Sequence, residues 1–191
     1  MRDRYTNDAE MSQLCIDIHA ANVTAGWWDK PRNRAEMLML TASELSEASE
    51  GYAGNLADDK LPQYYMFDVE LADAAIRLCG QIGAMGKSDN GHVIAGCYIR
   101  GSTEAYAMRG ETINGALMLI VNMLSKAMEY DRKGRARDYQ YTLWDALMTV
   151  FRFAEAQGID LFEVIETKRA FNAVRPDHKR EVRALDGGKA Y

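Results

Sequence analysis

The stretch Met66 to Cys79, MFDVELADAAIRLC, admits few folds. On a helical wheel at about 100° per residue, Glu70, Asp73 and Arg77 share one narrow stripe. Almost everything else around the wheel is apolar: Val69, Leu71, Ala72, Ala74, Ala75, Ile76 and Leu78. A helix apolar nearly all round is a buried helix. Two carboxylates inside it are costly unless charged partners or metal ions meet them. Arg77, one turn from Asp73 and two from Glu70, neutralises only one.

The remainder of the chain reads helical too. Apolar residues recur at helical spacing, with Met, Ala and Leu dominant, and no sustained alternation of β-branched residues marks a sheet. Helices are predicted over about Asp8–Thr24, Arg34–Tyr52, Gln63–Ala84, Thr103–Tyr130, Ala136–Gln157 and Asp160–Val174. The last has Asp160 as N-cap with Glu163 as capping-box partner; Gly158 closes the helix before it and Pro176 marks its end. Seven of the 15 glycines fall between Gly80 and Gly110, which predicts loops and short helices there. The expectation is one all-α domain over residues 1–191.

Charge and composition exclude several classes. With 23 Lys+Arg against 28 Asp+Glu, net −5, the chain is no general phosphate-backbone binder, and no nucleic acid is expected as partner. Cys15, Cys79 and Cys97 have no CxxC spacing, so neither a disulfide framework nor a zinc site is indicated, and a reducing compartment is expected. The longest apolar run is six residues, Ala116 to Val121, which argues against a signal peptide, a membrane span or a membrane partner. The location expected is cytoplasmic, or host cytoplasm for a viral protein.

A second carboxylate pair, Glu44 and Glu47, lies 26 residues upstream, with Met37, Leu40 and Ala48 at helical spacing. Alone, such a pair reads as a solvated helix face. Facing Glu70 and Asp73, it makes an oxygen cage of formal charge −4, suited to a hard divalent cation such as Mg²⁺ bridging a phosphate chain. A ferritin-like di-iron site wants Glu-x-x-His on two helices, and none of His19, His92 or His178 has a Glu three positions before it.

Lys168, Asn172 and Arg175 fall on one helical face, a reasonable phosphate clamp or simply cations suited to a helix C-terminus. Trp27 and Trp28 are adjacent and cannot both enter one core face. One is free to stack on a base or to pack in a core or interface. His19 and Asn22, a helical turn apart, line the same pocket or make structural hydrogen bonds. The run Gln81 to Ser88, QIGAMGKS, imitates a P-loop, but Gln81 stands where the first glycine belongs and a helix precedes it.

Taken in order, these blocks resemble the MazG-like branch of the all-α nucleoside triphosphate pyrophosphohydrolases. ExxE is followed by ExxD, here Glu44-x-x-Glu47 and Glu70-x-x-Asp73. Around them stand IHAANVTAGWWDKPRN, ELSEASEGYAG, ELADAAIRL and GIDLFEVIETKRAFNAVRPDHK. The resemblance covers roughly Ile16 to Ala84 and Trp144 to Lys179. It implies a four-helix-bundle-like fold and Mg²⁺-dependent hydrolysis of a (d)NTP to the monophosphate and diphosphate; base preference is not legible in the sequence, a purine such as dGTP being only weakly favoured. Glu44, Glu47, Glu70 and Asp73 would hold the metal, with Mn²⁺ able to substitute. Glu44 or Glu47 would act as base toward water attacking the α-phosphorus. Lys168, Asn172 and Arg175 would contact phosphates, and His19, Asn22, Trp27 and Trp28 match the nucleoside-side block. A homodimer or homotetramer is implied.

One departure is large. About 60 residues, Met85 to Leu143, intervene where short members run directly into the GIDL-type helix, so an inserted helical segment is expected over about residues 85–143. The segment from Leu143 resembles a second copy of the ExxD helix, with Asp145 echoing Asp73 and Thr142 in place of Glu70. Thr142 cannot replace a carboxylate, so Glu70 and Asp73 are retained. Two alternatives stay open: hydrolysis of another nucleotide of the phosphoribosyl-ATP kind, and a non-catalytic helical interaction module.

Overall fold

The computed structural model describes residues 8–86, 112–183 and 185. These form seven α-helices and a 3₁₀ turn, with no strand among the described residues; the fold is all-α. The helices are α1 (Asp8–Thr24), α2 (Arg34–Gly54), α3 (Met66–Ala84), α4 (Ile113–Arg132), α5 (Ala136–Ala156), α6 (Leu161–Val174) and α7 (Arg180–Arg183), with the 3₁₀ turn at Pro176–His178. No helix among the described residues is long and apolar enough to cross a membrane.

Local chemistry sets the helix ends. Asn33 caps α2, its side chain accepting from the Ala35 and Glu36 amides, and Asn55 ends it in the left-handed conformation at φ 47°. Asp160 accepts from the Glu163 amide at 3.2 Å. The other half of the expected capping box is diverted, because the Glu163 carboxylate accepts from the Tyr64 hydroxyl at 3.0 Å instead. Helix α3 starts at Met66 rather than Gln63. Asp58 caps the Lys60 and Leu61 amides and Tyr65 bridges to Ala57, so the chain before Met66 is committed to a turn. The predicted start at Thr103, with His92, Cys97 and the last two residues of the P-loop-like run, Lys87 and Ser88, lies outside the described residues; Gln81 to Ala84 of that run belong to α3, and α4 begins at Ile113, capped by Thr112.

Helices α2, α3, α5 and α4 pack in a closed ring, each against the next, while α1 and α6 lie on α3. Every neighbouring pair in the ring is antiparallel. Gly51 faces Met66 and Gln81 reaches Met37 on α2 and α3. Arg34 bonds Asp131 and Ser49 bonds Asn114 on α2 and α4. Gln81 meets Tyr139 and Phe67 meets Phe153 on α3 and α5. Helices α3 and α4 are therefore diagonal and parallel, and Gly86 and Thr112 lie at opposite ends of the ring. The segment from Met85 to Leu143 thus includes a full wall of the bundle, α4 and the start of α5.

Helix α3 is the hub. Val69, Leu71, Ala72, Ala74, Ala75, Leu78 and Cys79 are all fully buried, as the apolar wheel requires. Its C-terminal half approaches α1 closely: a Cβ on Gly83 would lie 2.3 Å from the Cys15 carbonyl oxygen and 2.6 Å from the His19 Cβ. Only glycine fits there.

Candidate functional site

The apolar surroundings of α3 force its polar stripe to find partners, and two sets result. Glu44 and Glu47 on α2 face Glu70 on α3, and one carboxylate oxygen from each lies within 4.8 Å of the others. Glu44 and Glu70 are buried and Glu47 is exposed. Arg77, one guanidinium between two sites, holds Glu44 through Nε and Nη2. Asp73 is drawn the other way, to the Lys168 Nζ at 2.8 Å, with both side chains largely buried. Of the four expected ligands, three therefore meet and the fourth is engaged by a lysine expected at the phosphates.

Electrostatics follow this division. Burial pushes the Glu70 carboxyl up to about 9, helped by a hydrogen bond with Glu44 that favours its protonated form and by the neighbouring charges of Asp73, Glu44 and Glu47. Burial and Glu44 also raise Glu47. Burial raises Asp73 against the opposing pull of Lys168. For Lys168 burial works to lower its basicity, but Asp73 prevails and holds the ammonium above its ordinary value. Opposite ligands of an octahedral ion with bonds of about 2.1 Å stand about 4.2 Å apart. Neighbouring ligands of such an ion stand about 3.0 Å apart, so the three carboxylates are near enough to be drawn onto one small divalent cation by closing together, and the crowding of like charge favours one.

Beside this cluster lies a cavity of about 820 Å³ between the α1–α2 turn, α3, α6 and the C-terminal segment. Asn22, Trp27, Trp28, Lys168, Asn172 and Arg175 all line it, as do Asp73 and Arg77. Seven lysines and arginines stand around it against three acidic residues, in a chain of net charge −5. Arg175 is held by Asp177 through two bonds of 2.9 and 2.6 Å. The Asn172 Oδ1 is buried without a hydrogen-bond partner, an unsatisfied acceptor of a kind that folded chains rarely keep.

His19 does not line the cavity. It sits behind Trp28, ring centroids 4.9 Å apart and edge-on, and burial lowers its basicity against a hydrogen bond with the Gly80 backbone. The two indoles do diverge: Trp27 turns to His178 and Arg183, Trp28 to His19 and Arg32. Thr142 bonds its own helix at the Asp138 carbonyl, 2.8 Å, and neither it nor Asp145 joins the acidic cluster. Sequence reasoning missed Arg32, Lys179 and Arg180 as cavity walls; the cations beside Pro176, in a segment that folds back, were the available signal.

Compared with protein-family models, with curated proteins and with solved structures, the chain matches none.

Proposed function

We propose that the chain is a Mg²⁺-dependent nucleoside triphosphate pyrophosphohydrolase, releasing diphosphate and a nucleoside monophosphate. One observation carries the reading: three glutamates converge at cation-ligand spacing beside a cationic, tryptophan-lined cavity, with Arg77 bordering both. A hard cation site and a pocket for an aromatic ring on an anionic chain are what a nucleotide requires together. The resemblance to the MazG-like enzymes points the same way.

Mg²⁺, or Mn²⁺ in its place, held by Glu44, Glu47 and Glu70, would lower the pKa of water and offset charge on the departing diphosphate. The chain's own groups do the rest. Lys168 and Arg175, each pre-set by a carboxylate, present cations to the phosphates without reorganising. Trp27 and Trp28 supply faces for the base, and such stacking accepts any base. Glu47, exposed and raised in pKa, is the carboxylate placed to take a proton from attacking water.

Diphosphate release should appear with Mg²⁺, and vanish with chelator, on at least one of the eight common NTPs and dNTPs. Glu47→Gln should lower that rate by at least about a hundredfold. Full turnover in this variant would refute the assignment. Silence on all eight, with no Mg²⁺-linked rise in melting temperature, would favour a helical interaction module.

A further inference from the structure

We infer that Arg77 competes with the divalent cation for Glu44 and, once displaced, turns to a phosphate of the nucleotide, so that filling the acidic cluster readies the cavity. The inference rests on the reading of cluster and cavity as one nucleotide site, and it adds a residue and an order of binding to that reading.

Arg77 belongs to the cluster more than to its own helix. Its near neighbour on the α3 stripe, Asp73, is taken by the Lys168 Nζ at 2.8 Å. Arg77 reaches across to α2 instead, where its Nε and Nη2 both bond one oxygen of Glu44, Oε1. That carboxylate is one of the three that converge within 4.8 Å. A carboxylate has about four lone-pair sites; the guanidinium engages Oε1 twice, and Glu70 shares a further hydrogen bond with Glu44. A cation ligated by Glu44 therefore displaces donors already on it. Charge works in the same direction, since cations a few ångströms apart repel strongly where water is scarce. Arg77 also acts beyond Glu44: burial raises Glu47 and Asp73, and the Arg77 charge opposes the rise at both. It does in part for the carboxylates what a metal ion would do in full.

The pair is arranged to separate. The Glu44 side chain is 8% exposed and that of Arg77 33%, so the carboxylate is enclosed while the arginine stands at its edge. The backbone beneath is pinned. Gln81 Nε2 donates to the Arg77 carbonyl at 3.3 Å and to the Thr41 hydroxyl at 3.2 Å, and Gln81 Oε1 accepts from the Tyr139 hydroxyl at 3.3 Å. Departure from Glu44 is thus a rotation of the side chain alone. Arg77 borders the cavity together with Lys168 and Arg175, which are held by Asp73 and Asp177. Of these three cations, only Arg77 has its partner among the converging carboxylates. Released, a guanidinium pairs with phosphate through two parallel bonds, a geometry an ammonium lacks. Linkage then makes the two ligands mutually supportive, the cation favouring phosphate by the same factor as phosphate favours the cation.

Two titrations on the full chain test this. Mn²⁺ alone, followed by loss of the free-ion paramagnetic resonance signal, should bind Arg77→Gln about tenfold more tightly than wild type, because charge-assisted donors no longer compete. Arg77→Lys, which keeps the charge and loses the fork, should tighten about threefold. An arginine that merely positioned Glu44 for the metal would give the opposite sign. Equal or weaker Mn²⁺ binding, in whichever variant folds, overturns the inference. With Mn²⁺ saturating, calorimetric binding of the four α,β-methylene dNTPs, which resist cleavage, should weaken about tenfold in Arg77→Gln. Unchanged binding overturns the transfer to phosphate. If the wild type binds none of the four, the nucleotide reading falls, and inorganic tripolyphosphate decides the transfer in their place. Weaker tripolyphosphate binding by Arg77→Gln upholds it; equal binding, or none by the wild type, overturns it.

Discussion

Glu70→Gln should give a protein that melts higher and turns nothing over. In the metal-free fold the Glu70 carboxyl is buried and holds its proton up to about pH 9, whereas the unfolded chain ionises it near 4.5. The folded state then binds the extra proton between those values, so stability is whole below 4.5 and falls as pH rises toward about 9. Taken in full, the interval from 4.5 to neutrality is worth about 3 kcal/mol, and solvent screening of a carboxyl that is not wholly enclosed leaves a loss on the order of 2 kcal/mol. Glutamine matches the protonated carboxyl in shape and still donates toward Glu44, so it removes that loss. The metal-free variant should melt roughly 4–8 °C above wild type at neutral pH, with the gap closing as pH falls toward 4.5. It should lack the Mg²⁺-dependent rise in melting temperature expected of the wild type, a rise that should grow above neutrality as cation and proton compete for Glu70. Diphosphate release should drop by at least about a hundredfold. Scanning calorimetry against pH, with and without Mg²⁺, checks all but the last. A variant that is less stable than wild type at neutral pH, or that keeps the Mg²⁺ response, contradicts the assignment of Glu70.

Gly83→Ala should be the most damaging glycine-to-alanine change among the described residues. The new Cβ would stand 2.3 Å from the Cys15 carbonyl oxygen and 2.6 Å from the His19 Cβ; one is backbone and the other the root of a side chain, so neither yields by a rotamer change. Helix α1 must move off α3, at a cost of about 3 kcal/mol or more, and the melting temperature should fall by roughly 6–12 °C. Trp28 rests on His19, so the displacement also reaches the cavity. Gly80→Ala, one turn earlier, is the control. Its Cβ meets only the Asn22 Nδ2 at 2.8 Å, the far end of a flexible side chain, and alanine gains helix propensity of about 1 kcal/mol. Its stability should stay within about 1 kcal/mol of wild type. Equal melting temperatures for the two variants would mean that α1 and α3 are not so close.

Local order explains what the sequence disclosed. Asp160, Gly158 and Pro176 mark helix ends because caps and breakers act within a turn of themselves. The buried helix Met66–Ala84 is legible because its stripe of Glu70, Asp73 and Arg77 stands alone on an apolar wheel. The grouping of Glu44, Glu47 and Glu70 follows from two facing helices. What no local rule conveys is choice of partner. Asp73 and Glu70 share a stripe, and only the placement of α6 sends Lys168 to one of them. Arg77 is one turn from Asp73 and two from Glu70, yet it crosses to Glu44. Gly83 looks like any helical glycine until α1 is laid against it. Arg183 and Trp27 find each other only when the end of the chain folds back over its beginning.

The two parts of the site draw on chain connectivity very differently. The acidic cluster belongs to a single hairpin, its bond from Arg77 to Glu44 closing over 33 residues. The cavity is joined by ends far apart, as in the Arg180–Asp29 pair at 151 residues and Arg183 on Ala25 at 158. Closing the longer loops costs chain entropy greater by roughly 1 kcal/mol each, and it requires α3 to be already in place between them. The carboxylates are thus a local property of α2 and α3, assembled by neighbours in sequence, whereas the chamber is a property of the completed fold.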